Sequence, residues 1–560
     1  MTQPANESRP RIDGQEQANP TSRLNRLAVT LAREHDLTSR PPAGPSPLDH
    51  LEELEVLLEA AHGQYVLLSE SEEMLSGAAE WLLDNHYVVR QAARQVRKNI
   101  PAGYYRRLPK LASPPWAGVA RVYALARAFV AHEDGMIDTA RLARFVQAYQ
   151  DVAPLTMGEL WALPTIVRLV LLELLAQAVS SDVPPDEVPA GLQPVLTLDV
   201  SENLAQVALV GNCIRGLRTL GAEDWETFFE SVSRVEAVLR QDPAGVYPRM
   251  DFPTRNGYRQ VVEDLAGGDP AGEEAVAVQA VEMARQGRRE GEPASRRGHV
   301  GYYLLDRGLA ELESQSGFGP SARARLRRRL LDRAAVLYLG SIALLTLAIV
   351  AALVAAARAA GGDAWQLVAV VPVALLPALL VAVNVVNVAV THLVPPGTLP
   401  KMDFRRGIPT AHETMVVIPA LLTDPDEVDS LLAQLERHYL ANRDPRLHFA
   451  LLTDPMDAPE ESMPEDEELV ERAREGIAQL NARYRHTNGG TAHEPFHLYH
   501  RHRLWNPAEG VWMGWERKRG KLSEFNRLLA GRGETSYVVR EGERLSERGL
   551  RMPRSVKSDQ

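Results

Sequence analysis

The sequence has little cysteine and no excess of positive charge. A single cysteine, Cys213, among 560 residues excludes an internal disulfide and fits a reducing compartment. The net charge of −11 excludes a generally basic protein of the kind that binds nucleic acid through its whole surface, so any anion site must be local. No nucleic-acid partner is therefore expected.

The amino-terminal residues lack an apolar signal segment. Residues 1–21 are polar throughout, which excludes a secretory signal peptide and predicts a disordered lead. At 560 residues the chain is longer than one hydrophobic core usually organises, so we expect two or three domains.

Residues 22–318 lack alternating strand patterns and are predicted to form a mainly α cytoplasmic domain. In "PLDHLEELEVLLEAA" the apolar residues recur at helical spacing. The region shows neither a metal-ligand spacing nor a glycine-rich phosphate loop. The aromatic and cationic residues of "GYYRRLPK" and "VYPRMDFPTRNGYRQ" either contact a ligand or pack with the stems of their arginines, and packing is the preferred interpretation. The residues alone assign this domain no task.

Two runs, 334–357 and 365–391, lack a charged side chain for longer than the roughly 20 residues that a helix needs to cross a bilayer, and they predict helices over 334–357 and 365–393. Both are predicted to be transmembrane helices in a lipid bilayer, and a pair of buried soluble helices is the alternative. Segment 165–179 is also rich in leucine, but it contains Arg168 and Glu173 and is predicted to be soluble core.

Positive residues flank the spans on one side. "SARARLRRRLLDR" precedes the first span, Lys401, Arg405 and Arg406 follow the second, and the connecting "RAAGGDA" holds one Arg and one Asp. Because positive flanks stay inside, both large soluble parts are predicted to be cytoplasmic. Asn384 and Asn387, three residues apart, are expected to bond a neighbouring helix.

After the spans the pattern becomes α/β. "TMVVIP" predicts a buried strand, Asp424 caps a following helix, and "LHFALLTD" predicts a second strand. A βαβ unit makes these strands parallel and places Asp454 at their carboxyl edge. A helix from Asp466 to about Tyr484, a third strand "FHLYHRH" and a helix over 523–530 complete a partial Rossmann-type domain over 411–550.

The turn "WERKRGK" carries Arg517, Lys518 and Lys521 around Gly520 and enters a helix. Side-chain cations, a glycine and helix N-terminal amides together suit a pyrophosphate. The alternative is a solvated basic loop near anionic lipid.

Two further candidates at the predicted strand ends have ordinary alternatives. Asp454 either accepts hydrogen bonds from a nucleobase or ribose or is a common turn residue before proline. A metal site at His497, His500 and His502 is disfavoured, because an alternating strand directs neighbouring side chains to opposite faces.

Several blocks, among them "HETMVVIPALLTDPDEVDSLLAQLERHYLAN" and "WMGWERKRGKLSEFN", resemble the cyclic β-1,2-glucan synthases over residues 20–550. The resemblance implies a bacterial inner-membrane enzyme with a GT-A-like glycosyltransferase domain that takes glucose from UDP-glucose with Mg²⁺. It implies that Asp454 contacts uridine and Lys518 the pyrophosphate, with Asp457 and Lys521 as weaker nucleotide-sugar-binding candidates.

The carboxyl-terminal residues depart from that family. The resemblance implies an Asp-x-Asp strand, a catalytic base and a "Q-x-x-R-W" motif after residue 550, whereas residues 551–560 read "RMPRSVKSDQ". The expectation is an N-terminal fragment that is inactive alone, has no catalytic or metal residue of its own and pairs with a separately encoded remainder. The alternative is a non-catalytic, membrane-anchored helical scaffold with a degenerate nucleotide-binding module.

The charge flanks give a topology test. Reporter fusions at residues 300 and 450 should behave as cytoplasmic, and a fusion at Gly362 should report the periplasm, because the arginines stay inside. A periplasmic signal from residue 450 contradicts both the topology and the use of a cytoplasmic UDP-sugar.

Overall fold

The computed structural model describes residues 20–38, 46–71, 74–193, 195–201, 204–267, 270–290, 295–316, 322–394, 399–488, 491–532 and 534–541. The chain divides into two compact units, Met1–Lys401 and Met402–Gln560. The expectations for most of the amino-terminal lead and for the 551–560 tail lie outside the described residues.

The first unit is mainly helical, as the sequence predicts. Two short strands, β1 (Leu37–Thr38) and β2 (Lys110–Leu111), pair antiparallel. The helices are α1 Pro20–Glu34, α2 Leu51–Glu70, α3 Gly77–Asn99, α4 Ala102–Tyr105, α5 Arg121–His132, α6 Thr139–Gln150, α7 Met157–Val179, α8 Gln206–Ala222, α9 Trp225–Val232, α10 Arg234–Leu239, α11 Phe252–Ala266, α12 Pro270–Glu290, α13 Val300–Leu305, α14 Leu309–Ser316, α15 Ala322–Asp332, α16 Ala334–Ala359 and α17 Ala364–Leu393.

Helix α7 forms the centre of the helical core. Its residues are buried on every side, because leucine and valine cover its whole circumference. Its two buried carboxylates are paired: Arg121 Nη2 lies 2.6 Å from Glu159, and Arg127 Nη1 lies 3.0 Å from Glu173. These pairs satisfy charges that the interior would otherwise leave uncompensated.

Within the described residues, three helices are long and apolar enough to cross a membrane, one more than the sequence predicts. The third is the α7 segment Met157–Asp182, of which 89% of the most apolar window is buried inside the structure. The corresponding shares are 17% for α16 and 11% for α17. Apolar surface on that scale is consistent with membrane association of α16 and α17.

Helices α16 and α17 pack against each other along a face of small and branched residues. Tyr338 Oη donates a 2.9 Å hydrogen bond to Asn387 Oδ1, so Asn387 does bond the neighbouring helix. Asn384 bonds within its own helix, where its Nδ2 donates to the carbonyl of Leu380 one turn earlier, and its contact with a further helix stays a prediction.

The second unit contains a four-stranded mixed sheet in the order β10–β7–β4–β3. Strand β4 pairs in parallel with β3 and β7, and β10 is antiparallel to β7. The parallel βαβ start and the third strand are therefore confirmed, and the GT-A assignment stays a prediction. The elements are β3 Thr414–Leu422, α18 Pro425–Ala441, β4 Leu447–Pro455, α19 Pro464–Tyr484, β5 His486–Asn488, β6 Thr491–His493, β7 Phe496–Arg501, β8 Leu504–Asn506, β9 Val511–Met513, α20 Arg519–Leu529 and β10 Tyr537–Glu541.

The sheet is covered on both faces because alternate residues of β4 point in opposite directions. Phe449 and Leu451 pack with α18 and α19, whereas Ala450 and Leu452 pack with Phe525 of α20. Helix α18 begins where the sequence predicts, since the Asp424 carboxylate accepts a 2.9 Å bond from the Glu427 N–H.

Buried Asn481 fixes α19 to the start of β7. Its Nδ2 donates to the Phe496 carbonyl at 2.9 Å, and its Oδ1 accepts from the Phe496 N–H at 3.0 Å. This amide therefore replaces the ladder bonds that the first residue of the strand lacks, and it helps to hold β7 in position.

Replacement of Asn481 by leucine should destabilise the second unit by about 2 kcal/mol or more, because two buried backbone groups lose their partner. Hydrogen exchange of the β7 amides measures the effect. The matched change Asn442→Leu, at the exposed end of α18, should stay within about 0.5 kcal/mol. Equal effects of the two changes contradict the role assigned to Asn481.

Candidate functional site

The carboxyl ends of the three parallel strands bring polar side chains to one edge of the sheet. Strand β4 ends with Asp454 and Pro455, and β7 ends with Arg501. The register pairs Thr453 with His500, so the next residues, Asp454 and Arg501, are neighbours at the edge. Ligands of open α/β sheets bind outside such strand ends, which makes this edge the candidate site.

Asp454 is fully buried at this edge and is held by two cations. Arg501 forms a bidentate ion pair with the carboxylate: its Nε donates to Oδ1 at 2.7 Å, and its Nη2 donates to Oδ2 at 2.8 Å. Lys521 Nζ lies 3.1 Å from Oδ2 and also donates to the carbonyls of Ala420 and Leu452. Both cations are at most 2% exposed, so the pairing replaces water almost completely.

Glu524 of α20 completes this group. Arg501 Nη1 lies 3.2 Å from its carboxylate, which also accepts hydrogen bonds from Ser536 and Thr535. Burial raises the pKa of Glu524, but these hydrogen bonds outweigh burial and leave the pKa below its usual value. We call Asp454, Arg501, Lys521 and Glu524 the strand-end cluster; it contains two carboxylates and two cations.

Burial also acts on the lysine of the strand-end cluster. It lowers the pKa of Lys521, and the neighbouring Asp454 carboxylate opposes that shift. Because its Nζ lies 3.1 Å from Asp454 Oδ2 and the side chain is buried, Lys521 is an internal partner of Asp454.

Two glycines let the cationic turn close over the cluster. A Cβ at Gly514 would lie 2.8 Å from Asp454 Cγ, and a Cβ at Gly520 would lie 2.5 Å from the Trp515 carbonyl. Helix α20 begins at Arg519, four residues earlier than predicted, with Gly520 in its first turn. Gly520 thus serves the folding of the turn itself, a role that the pyrophosphate interpretation did not consider.

The remaining predicted residues lie on the outer side of the turn. Asp457 forms an ion pair with Arg517. Lys518 occupies the position before α20 and is exposed, and within the described residues its side chain forms no ion pair. The structure therefore joins Asp454 with Lys521 and separates both from Lys518. Contact of any of the four with a nucleotide stays a prediction.

The residues at this edge do not fit the Mg²⁺ that the family resemblance implies. Both oxygens of Asp454 face cations, and Asp457 is paired with Arg517. A divalent cation at either carboxylate would meet a positive side chain within contact distance. We therefore assign no magnesium ligand to Asp454 or Asp457.

The three strand histidines do not converge on a common point. His497 contacts His448 at 3.1 Å, His500 Nδ1 lies 2.9 Å from Thr453 Oγ1, and His502 bonds the Ser536 carbonyl. The disfavoured metal interpretation gains no support from this geometry.

Among the described residues of the helical region, one grouping of metal-ligand types appears that the sequence spacing did not reveal. Potential ligand atoms of Glu59, His62 and His86 lie within 4.8 Å of one another. Glu59 Oε1 also lies 3.6 Å from Arg90 Nε, and its Oε2 lies 3.6 Å from His86. The rings of His62 and His86 stack with centroids 3.9 Å apart, and we assign no metal to this grouping.

The comparison with known proteins identifies the family. The chain is 34% identical to the cyclic β-(1,2)-glucan synthase NdvB of Rhizobium meliloti (strain 1021) over an alignment of 556 residues, which covers 87% of this chain. Over this matched length the chain belongs to the cyclic β-1,2-glucan synthase family. The match spans 19% of the relative's own length, about a fifth. No family profile matches the chain.

In this chain, the sequence-based prediction missed Arg501 and Glu524. Arg501 is the last residue of β7 and the second-last residue of the predicted strand "FHLYHRH", so the same strand-end rule that selected Asp454 also points to it. The prediction for this strand considered only its histidines, as metal ligands. Glu524 had no comparable signal, because its role depends on the placement of α20 against β7.

The buried imidazole of His500 gives a pH test. Burial lowers the pKa of His500 to about 4, so the unfolded chain binds the proton first, near pH 6.5. The neutral imidazole contributes fully to the free energy of unfolding above pH 6.5. As the pH falls toward 4 this contribution is lost, and the loss is about 1 to 2 kcal/mol at pH 5. His500→Gln should flatten this dependence in hydrogen exchange of β4, corrected for intrinsic rates.

The matched control for that experiment is exposed His438 in α18, which should leave the pH slope unchanged when it is replaced by glutamine. An identical slope in wild type and His500→Gln would show that another group titrates.

Proposed function

We propose that this chain supplies a membrane-anchored part of a glucosyltransferase that builds β-1,2-glucan, and that its second unit holds the nucleotide of a UDP-glucose donor. The observation that carries the proposal is the position of Asp454, Asp457 and the cationic turn at one carboxyl edge of parallel strands. Such edges bind nucleotides in open α/β sheets. The similarity to a cyclic glucan synthase supports a β-1,2-glucan product, and the UDP-glucose donor is part of the proposal.

Lys518 is the residue best placed to meet the diphosphate. Its side chain is exposed directly before the 11-residue helix α20, whose first N–H groups carry partial positive charge. A flexible ammonium group and helix amides can bind phosphate oxygens without any rearrangement of the buried strand-end cluster. The cytoplasmic face of the inner membrane is the proposed location, because UDP-sugars are found there.

Contact between uridine and Asp454 requires a movement of the protein, because the carboxylate is covered. Gly514 and Arg501 close off its carboxylate, so uridine reaches it only when the segment that carries Gly514 moves away. We propose that this movement accompanies nucleotide binding. The required displacement concerns the β8–β9 hairpin and the turn, and it leaves the sheet itself in place.

A non-catalytic scaffold is the second candidate, and the closed Asp454 favours it. In that case the strand-end cluster is a purely structural substitute for a former nucleotide site. The scaffold predicts no saturable UDP binding by the full chain, whereas the transferase part predicts such binding.

Lys518→Ala should weaken UDP binding by about 1.5 to 3 kcal/mol, the range for loss of a charge-assisted hydrogen bond. Isothermal titration of the purified full chain with UDP measures the change. The matched control is Arg519→Ala, which removes the same charge one residue later from a side chain that is paired with Glu516.

Arg519→Ala should retain the wild-type affinity within about threefold, as expected for an exposed ion pair. If Lys518→Ala and the wild type bind UDP equally, Lys518 does not contact the diphosphate. If the wild type binds no UDP, the scaffold is correct and the transferase proposal is abandoned.

A further inference from the structure

The helical unit contains a cleft of about 710 Å³ between α3, α7, α9 and α11. It lies entirely within the first unit and is separate from the strand-end edge. Its walls combine aromatic rings, side-chain amides and cations, including Trp161, Asn256 and Arg168. A concave site with a few converging polar groups is typical of small-molecule binding.

Arg168 is the residue that the packing of this cleft does not explain. It is 6% exposed and lies in the middle of the apolar helix α7. Its Nη2 donates to the Leu220 carbonyl, and its buried Nε has no hydrogen-bond partner. Within the described residues, no carboxylate lies within ion-pair distance of this guanidinium. Burial without a counter-ion lowers the pKa of Arg168.

The Leu220 carbonyl compensates this charge in part. Leu220 lies in the last turn of α8, where the helix dipole amounts to about half a negative charge. Trp225 Nε1 donates to the same carbonyl at 3.0 Å, so the acceptor is shared. A guanidinium has five N–H donors, and in Arg168 one Nη2 hydrogen bonds this shared carbonyl while the buried Nε–H has no partner among the described residues.

A second arginine with unused donors lines the same cleft. Arg259 is 1% exposed, and its Nη1 donates to Glu236 at 2.8 Å. Its Nε and Nη2 are buried without a hydrogen-bond partner in the described part of the chain. The guanidinium lies over the rings of Phe229 and Phe252, at 5.0 and 4.7 Å, which hold it in place.

The rest of the lining adds positive charge and a flat aromatic wall. Lys98 stands at the rim, and Trp161 is held rigid by stacking on Phe229 at 4.3 Å. Glu263 is the acidic group in the lining. We infer that this cleft binds a small ligand that carries a phosphate or carboxylate group on a polar ring, of which a sugar phosphate is the simplest example.

Calorimetric titration of the purified full chain with glucose 6-phosphate, inorganic phosphate and glucose tests this inference. Both phosphates should bind saturably, and glucose should bind at least about tenfold more weakly than glucose 6-phosphate, because the anion supplies the missing counter-charge. Arg168→Met should weaken glucose 6-phosphate binding by at least about tenfold, as expected for the loss of a charge-assisted hydrogen bond.

Neighbouring residues of α3 offer a matched pair that avoids the core. Lys98→Met removes a rim cation and should weaken binding about two- to fivefold. Arg97→Met removes the same charge from a side chain that is paired with Glu55 and lies outside the cleft lining, so it should leave binding unchanged. Lys518→Ala should also leave it unchanged, which separates this cleft from the nucleotide edge.

Three results overturn the inference. They are absence of saturable binding of either phosphate, equal affinity for glucose and glucose 6-phosphate, and wild-type affinity in folded Arg168→Met. If Arg168→Met does not fold, the comparison of Lys98→Met with Arg97→Met decides, and equal affinities of these two variants reject the cleft as an anion site.

Discussion

The geometry of the candidate edge depends on the bidentate pair between Asp454 and Arg501. Both groups are withdrawn from water, so each is stable there only because the other is present. Lys521 and Glu524 extend the pair to α20, so three elements of the second unit, β4, β7 and α20, depend on one set of charges. Loss of any member leaves an uncompensated buried charge, which typically costs about 3 to 5 kcal/mol.

This dependence divides the edge into two chemically different sides. The inner side, at Asp454, is neutralised and covered by Gly514, whereas the outer side presents the exposed cation of Lys518. Under the proposed function, a diphosphate would meet the exposed Lys518 first, and recognition of the nucleoside by Asp454 would have to displace the existing ion pair with Arg501.

The sequence predicted those features that depend on local periodicity and capping. The strand and helix patterns found the βαβ start, and Asp424 marked the helix that follows β3 because its carboxylate bonds the Glu427 N–H. The pairing of Asp454 with Arg501 was not predicted, because it depends on strand register and order. The early start of α20 was also missed, since Gly520 fits beneath the Trp515 carbonyl only in the folded turn.

Two buried arginines of the helical unit are paired with carboxylates, whereas Arg168 is not, as far as the described residues extend. Arg121 pairs with Glu159, and Arg127 pairs with Glu173, each within 3.0 Å. In both cases the paired carboxylate compensates the desolvation cost of the buried guanidinium. Arg168 lies on the same central helix, and a shared carbonyl stands where the carboxylate would be. Packing alone gives no reason to retain an arginine there, because a methionine fills similar space without a buried charge.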